Sequence, residues 1–373
     1  MTIVFTVTND LSYDQRMHRI CRTLAENGYQ VCLVGRSLPH SIPLTDRPFR
    51  QKRLRCFFRK GFLFYKEYNL RLLWFLLFAR YDAVCSADLD TLVAGWLATV
   101  IRRKKRVFDA HEYFTEVPEL VGRPLVKNAW EMIARICLPF YKYAYTVGPA
   151  LAAIFQKKYG LPFEVVRNVQ PTAMPVSENS GTSLDISALP KPGLLYMGAL
   201  NEGRGIETAI EAMRHLERLH LWIAGEGDLS EALRRQTEAS GLGEKVTFLG
   251  YVSPGEMRVL AENAWLGLNL LENRGLSYYY SLANKFFASV QAGVPVLTMN
   301  FPEYRAHNEQ FEVALLLDQL TVDAVVEAIR RLRSDASLYQ RLQQNCILAR
   351  REWNWEHEAP RLLDIWEQVR RDG

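Results

Sequence analysis

The sequence predicts an α/β protein of two similar units, each a parallel sheet covered on both faces. Three observations carry that expectation. Short β-branched or apolar runs alternate with helical patterns almost throughout, the rhythm of βαβ units. That rhythm breaks once, at the Pro-, Ser-, Asn- and Gly-rich stretch 168–193, and then starts again. A chain of 373 residues is also more than one hydrophobic core comfortably holds.

In the first unit, expected at 1–168, the predicted strands are 2–8 (TIVFTVT), 30–35 (QVCLVG), 53–57, 82–86 (DAVCS), 106–110 (RVFDA) and 143–147 (YAYTV). Helical patterns fill the gaps near 14–27, 62–79, 89–102, 124–138 and 149–159. A linker is expected at 169–192 and a second unit at 193–352. Its strands come from LLYMG, LWIAG, VTFLG, LGLNLL, VPVLTM and VALLLD. The last segment, 353–373, reads as an amphipathic helix that offers Trp355, Leu362, Leu363 and Trp366 for packing and is free to cross back to the first unit.

At 49% hydrophobic and 23% charged residues the composition is that of a globular protein and excludes a disordered one. Lys and Arg outnumber Asp and Glu up to residue 170, and the reverse holds beyond it. A basic first half suits an anionic partner. Cys21, Cys32, Cys56, Cys85, Cys137 and Cys346 form no CxxC pair and lie mostly in apolar runs, as expected of reduced thiols in a cytoplasmic protein. The opening MTIVFTVTND has no basic flank and reads as a first strand rather than a signal peptide. NLRLLWFLLFARY is too short, and too broken by Arg71 and Arg80, to span a bilayer; it is expected as a buried crossover helix.

The first βα turn, VTNDLSYDQRMHR, has no GxGxxG, and no GxxxxGK[ST] occurs, so dinucleotide and P-loop fingerprints are absent. No Cys–His spacing supports zinc. Ligands of open parallel sheets bind at the carboxyl ends of the strands. In the first half those ends carry Asn9, Asp10, Asp88, Asp90, Asp109, His111 and Glu112; in the second, Gly198 with Arg204, Glu226 between two glycines, Tyr251 and Glu272. SLANKFFASVQAGVPV, 281–296, reads as a helix from Ala283 to Gln291, a break at Gly293 and a buried strand. Asn284 and Lys285 lie in its first turn, where free N–H groups favour an anion.

Four stretches, YMGALNEGRGIETAIEAM, LWIAGEG, VTFLGYVSPGEM and SLANKFFASVQAGVPVL, follow in this order a first half that holds TNDLSYDQRMHRICRTLAENGYQVCLVGR, SADLDTLV, FDAHEYFTEVPEL and VVRNV. Over nearly its whole length the chain resembles family-four-type glycosyltransferases of the GT-B fold. The resemblance implies two Rossmann-like domains facing across a cleft, a nucleoside-diphosphate sugar (UDP- or GDP-linked) in the C-terminal one and an acceptor in the N-terminal one. It also implies retention of anomeric configuration, with no cofactor and no bound metal.

By the same resemblance Arg204 and Lys285 clamp the diphosphate, and His111 stands by the transferred sugar to orient a hydroxyl or stabilise charge. Donor contacts are implied for Gly198, Glu226, Tyr251, Val252, Ser281, Leu282, Asn284 and Ala288. The acceptor side is assigned Asn9, Asp14, Arg16, Asp88 and Glu112; the alternatives are an Asp14–Arg16 pair and Asp90 as a helix cap. Relatives carry glutamates at the positions matched by Ser281 and Ala288, the second of which accepts hydrogen bonds from the ribose hydroxyls. Its replacement leaves three readings open: Glu272 supplies the contact, donor binding is weak, or activity is lost.

The stretch 50–60, RQKRLRCFFRK, mixes Arg50, Lys52, Arg53, Arg55, Arg59 and Lys60 with Phe57 and Phe58. Cations beside aromatics suit an anionic membrane surface, and no nucleic-acid motif accompanies them. The expected function is sugar transfer from a nucleotide donor to a glycan or lipid-linked acceptor for a surface polysaccharide, at the inner face of the cell membrane. The alternatives are a catalytically impaired homologue serving as a partner subunit and a sugar-nucleotide epimerase.

Overall fold

The computed structural model describes residues 1–12, 14–39, 41–172 and 184–372; residues 173–183 of the expected linker lie outside the described residues. Two compact units divide the chain, one of Met1–Arg167 joined by the chain from Glu358 onward, the other Asn168–His357.

The first unit holds β1 (Thr2–Thr6), β2 (Gln30–Ser37), β3 (Arg50–Arg55), β4 (Ala83–Ala87), β5 (Lys105–Ala110), β6 (Tyr143–Thr146) and β7 (Glu164–Val165). They form one sheet in the order β3-β2-β1-β4-β5-β6-β7, with every pairing parallel. The order reverses between β1 and β4, where Ile3 aligns with Ala83 and Thr6 with Ser86. Such a reversal opens a crevice at the carboxyl ends of the two strands. β3 begins three residues before its expected start because an edge strand tolerates charged side chains. β7 spans two residues and is too short to leave a pattern in the sequence.

Helix Gly61–Phe78 packs Phe64, Tyr68, Leu72 and Leu76 against Val4, Val34 and Val84 of this sheet. It departs from the expected buried crossover helix: Phe62, Leu70, Trp74 and Phe78 on its other face are 77%, 59%, 68% and 70% exposed. The C-terminal helix Trp355–Arg371 completes the unit. Trp366 lies 5.4 Å from the Phe5 ring, the Lys105 ammonium donates to the Val369 carbonyl at 2.8 Å, and buried Glu358 accepts from the Arg167 N–H at 2.9 Å.

The second unit holds β8 (Gly193–Met197), β9 (His220–Ala224), β10 (Val246–Gly250), β11 (Leu266–Asn269), β12 (Val296–Met299) and β13 (Ala314–Leu317). Their order, β10-β9-β8-β11-β12-β13, is again all parallel and reverses between β8 and β11. Both units are therefore Rossmann-like. Among the described residues no helix is long and apolar enough to cross a membrane.

Candidate functional site

Each reversal point carries a cluster of polar groups, and the two clusters differ in kind. In the first unit Asp109 sits near the end of β5 and His111 just beyond it. The His111 Nε2 donates to Asp109 Oδ2 at 3.0 Å, and its Nδ1 lies 3.7 Å from Asp88 Oδ2. The His111 backbone N–H donates to Asp88 Oδ1 at 2.8 Å. Buried Arg16 donates to Asp109 Oδ1 at 2.8 Å and to the Val166 carbonyl at 3.0 Å. The result is a row of alternating basic and acidic groups, Arg16–Asp109–His111–Asp88, laid across the ends of the strands.

Burial presses the His111 imidazole toward its neutral form, but Asp109 and Asp88 outweigh it and lift the ring to about 9. Burial would raise Asp109, yet Arg16 and His111 hold it below its ordinary value. Asp88 is pushed up by burial against the pull of His111. Asp88 also has φ +54°, a left-handed conformation costly for a residue with a Cβ. Its carboxylate bond to His111 and its own N–H donated to the Asp109 carbonyl at 2.9 Å hold it there.

Other expected residues fall differently. Arg16 pairs with Asp109 and not with Asp14, and it is buried rather than lining a surface. Asp14 caps helix Gln15–Glu26 by accepting from the Met17 N–H at 3.1 Å, and it also accepts from Asn9. Asp90 does not cap the next helix; burial raises it to about 6, and its carboxylate accepts from the Thr8 hydroxyl. Asp88 and Glu112 line one small cavity with Tyr113 and Phe155.

In the second unit Gly198, at φ +124° after β8, lies beside Lys285, where a Cβ would make an ordinary van der Waals contact 3.8 Å from Lys285 Cε. Gly225, at φ +142° after β9, abuts the Gly198 carbonyl; a Cβ would sit 2.0 Å from that oxygen, so only glycine fits. The Lys285 ammonium rests 4.0 Å from the Tyr196 ring centroid, and the Arg204 guanidinium 4.7 Å from that of Tyr278. Lys285 Nζ and Arg204 Nε are shielded from solvent without a hydrogen-bond partner. Among the described residues neither side chain has an ion pair. Burial, reinforced by Arg204, lowers Lys285 well below the ordinary lysine value.

Three neighbouring acids are engaged elsewhere, while buried Glu207 Oε2 has no hydrogen-bond partner. Arg274 takes Glu202 at 2.5 Å and Glu272 at 3.5 Å, and Arg234 takes Glu226 at 2.6 Å. Helix Asn284–Gln291 has no side-chain cap. The loop before it is pinned by Tyr304, whose hydroxyl accepts from the Ala283 N–H at 3.1 Å and lies 3.2 Å from Ser281 Oγ. Leu282 and Val252 are buried, Asn284 is exposed, and Tyr251 is 65% exposed. Ala288 packs in an apolar cluster with Leu195, Trp222 and Val252 and borders a cavity of about 200 Å³. Tyr196, Tyr278 and Tyr304 escaped the sequence reading because a tyrosine in or beside an apolar run looks like core.

Two cations held over aromatic rings at a strand reversal, with no carboxylate to pair them, form a socket for a doubly charged anion. Among the described residues no group of three or more His, Cys, Asp or Glu is placed to hold a metal ion.

Residues 15–171 match the family model described as Glycosyltransferase Family 4, and residues 186–348 the one described as Glycosyl transferases group 1. The lipopolysaccharide core biosynthesis glycosyltransferase LpsD of Rhizobium meliloti (strain 1021) is 29% identical over 151 residues, covering 39% of this chain and 40% of that protein. The chain thus spans less than half the length of that relative. Among solved structures, sucrose-phosphate synthase (tll1590) from Thermosynechococcus elongatus aligns over 100% of both chains with a TM-score of 0.82 at 18% identity. Anabaena Alr3699/HepE in complex with UDP and glucose aligns over 99% of this chain and 100% of its own, with a TM-score of 0.75 at 14% identity. At these identities the structural likeness speaks to the fold.

Proposed function

We propose, for a chain that belongs to the GT-B glycosyltransferases, that it transfers a sugar from a UDP- or GDP-linked donor to a glycan or lipid-linked acceptor in surface polysaccharide or glycolipid assembly. The observation that carries this reading is the unpaired cation couple, Arg204 and Lys285, at the reversal point of the second unit. A diphosphate supplies the two negative charges that the couple lacks. As the bond from the sugar's anomeric carbon to the diphosphate oxygen breaks, charge grows on that oxygen and the cations stabilise it, as a divalent metal would. The acceptor hydroxyl oxygen bonds to the anomeric carbon, and its proton passes to the departing phosphate oxygen. This route retains configuration and needs neither a dedicated base nor a metal. His111, held charged and fixed by two carboxylates, is assigned to the transferred sugar.

A second reading has one observation in its favour. Ala288 stands buried among apolar side chains at the position where the resemblance expects a ribose-binding acid, which fits a nucleotide-binding partner subunit of low turnover. Melting the chain with UDP, GDP and their sugars, and then assaying turnover, separates the two. A ligand at 100 times its Kd adds about 2.7 kcal/mol. A melting shift with turnover supports the transferase, and a shift without turnover in the presence of acceptor supports the partner. No shift with any nucleotide overturns both. An anionic membrane, met through the 50–60 stretch at the cytoplasmic face, belongs to the same proposal.

A further inference from the structure

We propose that the first unit carries a lipid-phosphate seat. Arg36, Arg55 and Arg59 hold the phosphate of an anionic lipid, while the outward faces of helices Gly61–Phe78 and Pro124–Cys137 enter the lipid boundary. This deepens the membrane reading above and rests on it.

The seat is a cavity of about 330 Å³ beyond the ends of β2 and β3, lined by Arg36, Ser37, Arg55, Phe57, Phe58 and Arg59 among others. Arg36 is fixed in place: its guanidinium donates to the Arg59 carbonyl at 3.0 Å and lies 4.6 Å from the Phe64 ring centroid, while its buried Nε has no partner. Among the described residues none of the three arginines has an ion pair. Glu67 is spent on the Phe57 and Phe58 N–H groups and on Arg71, and so orders the aromatic turn. Arg53, which the sequence grouped with these cations, is instead engaged by Asp10 at 2.7 Å and the Ile42 carbonyl at 2.6 Å. Within the basic stretch Arg53 is thus structural, whereas Arg55 and Arg59 line the cavity and form no ion pair among the described residues.

Beside the cavity runs an apolar surface with no cover. Helix Gly61–Phe78 buries one face, yet its other face carries Phe62, Leu63, Leu70, Trp74 and Phe78, all at least half exposed. A water-facing helix would be mostly charged there, whereas here Lys66 and Arg71 are outnumbered by apolar side chains. Helix Pro124–Cys137 buries only Ala134 and Cys137 and exposes Leu125, Met132 and Ile136, which share one face by their spacing. The Tyr65 and Trp130 rings, 5.1 Å apart, join the two helices. Exposed Arg59, Lys60, Lys66, Arg123 and Arg135 lie on or beside these helices. Apolar side chains interleaved with unpaired cations complement an anionic bilayer surface, where each cation contributes about fivefold in affinity.

The test is co-sedimentation of the full chain with phosphatidylcholine vesicles, with and without phosphatidylglycerol. Binding should require the anionic lipid and weaken with salt. Arg55→Ser with Arg59→Ser should lower it about 10- to 30-fold, and Leu70→Ser with Trp74→Ser should abolish it. Both variants should keep the parental circular dichroism and melting temperature, which reports that the first unit still folds, and a UDP-induced melting shift reads the second unit separately. Equal binding to neutral vesicles, or arginine variants that bind as the parent does, overturns the proposal. So does inorganic phosphate filling the cavity without any vesicle binding, which identifies a soluble anion, or self-association through the apolar faces in place of lipid binding. A chain that binds UDP but no vesicle sinks this proposal and leaves the transferase reading standing.

Discussion

Both units wind their sheets in one order and place polar groups at the reversal, yet the two clusters are electrostatic opposites. In the first, Arg16, Asp109, His111 and Asp88 pair with one another, with Arg16 Nε left without a partner. In the second, Arg204 and Lys285 face aromatic rings and form no ion pair among the described residues, while Glu202 and Glu272 are tied to Arg274. A self-paired cluster is already complete and presents fixed groups to whatever arrives. An unpaired couple stores a repulsion that only an incoming anion relieves. The same topology thus carries a self-paired cluster in one unit and a cation couple without ion pairs in the other.

Breaking each cluster should move stability in opposite directions, and this is the largest effect expected. Asp109→Ala strands buried Arg16 and should cost about 3–5 kcal/mol in denaturant titration. Lys285→Met removes a cation that burial and Arg204 disfavour, so the unligated chain should become more stable. The same change should weaken UDP binding about 10- to 100-fold by calorimetry, the loss of one charge-assisted contact. A destabilised Lys285→Met chain would mean that the lysine is already paired, and the contrast would collapse.

The pH dependence sharpens the comparison at a smaller scale, at most about 1.4 kcal/mol per pH unit for one proton. His111 is raised above its ordinary value, so its contribution is fully present below about pH 6.5 and is lost as pH rises through about 9. Lys285 is lowered, so charging it costs stability, and that cost fades as pH rises toward the ordinary lysine value. Stability measured against pH should therefore fall less steeply in His111→Gln than in the parent, and more steeply in Lys285→Met. Parallel curves for all three would remove either group from the account.

The smallest effect concerns the helix starts. Asp14 caps its helix in the first unit, so Asp14→Ala should cost about 1 kcal/mol. Helix Asn284–Gln291 has no side-chain cap, and Ala283→Asp should add up to about 1 kcal/mol while lowering UDP affinity, since the new carboxylate competes for the same N–H groups. Unchanged affinity beside a higher melting temperature would show that the nucleotide does not use this helix start.

The sequence by itself determined the α/β class, the two sheets and most of their strands, because hydrophobic alternation is a local property and these strands are buried on both faces. It also exposed the residue types at the strand ends, with Arg204, Lys285 and His111 among them, since glycine turns and helix starts are written in neighbouring residues. Only the tertiary structure decided which charges are paired. Arg16 and Asp109 are 93 positions apart, and nothing in the sequence prefers that partner over nearby Asp14. Nor could the sequence tell that Arg53 is engaged while Arg55 and Arg59 are unpaired, or that helix Gly61–Phe78 leaves an apolar face uncovered. Pairing and exposure depend on which surfaces meet after the chain has folded, and local pattern does not carry that information.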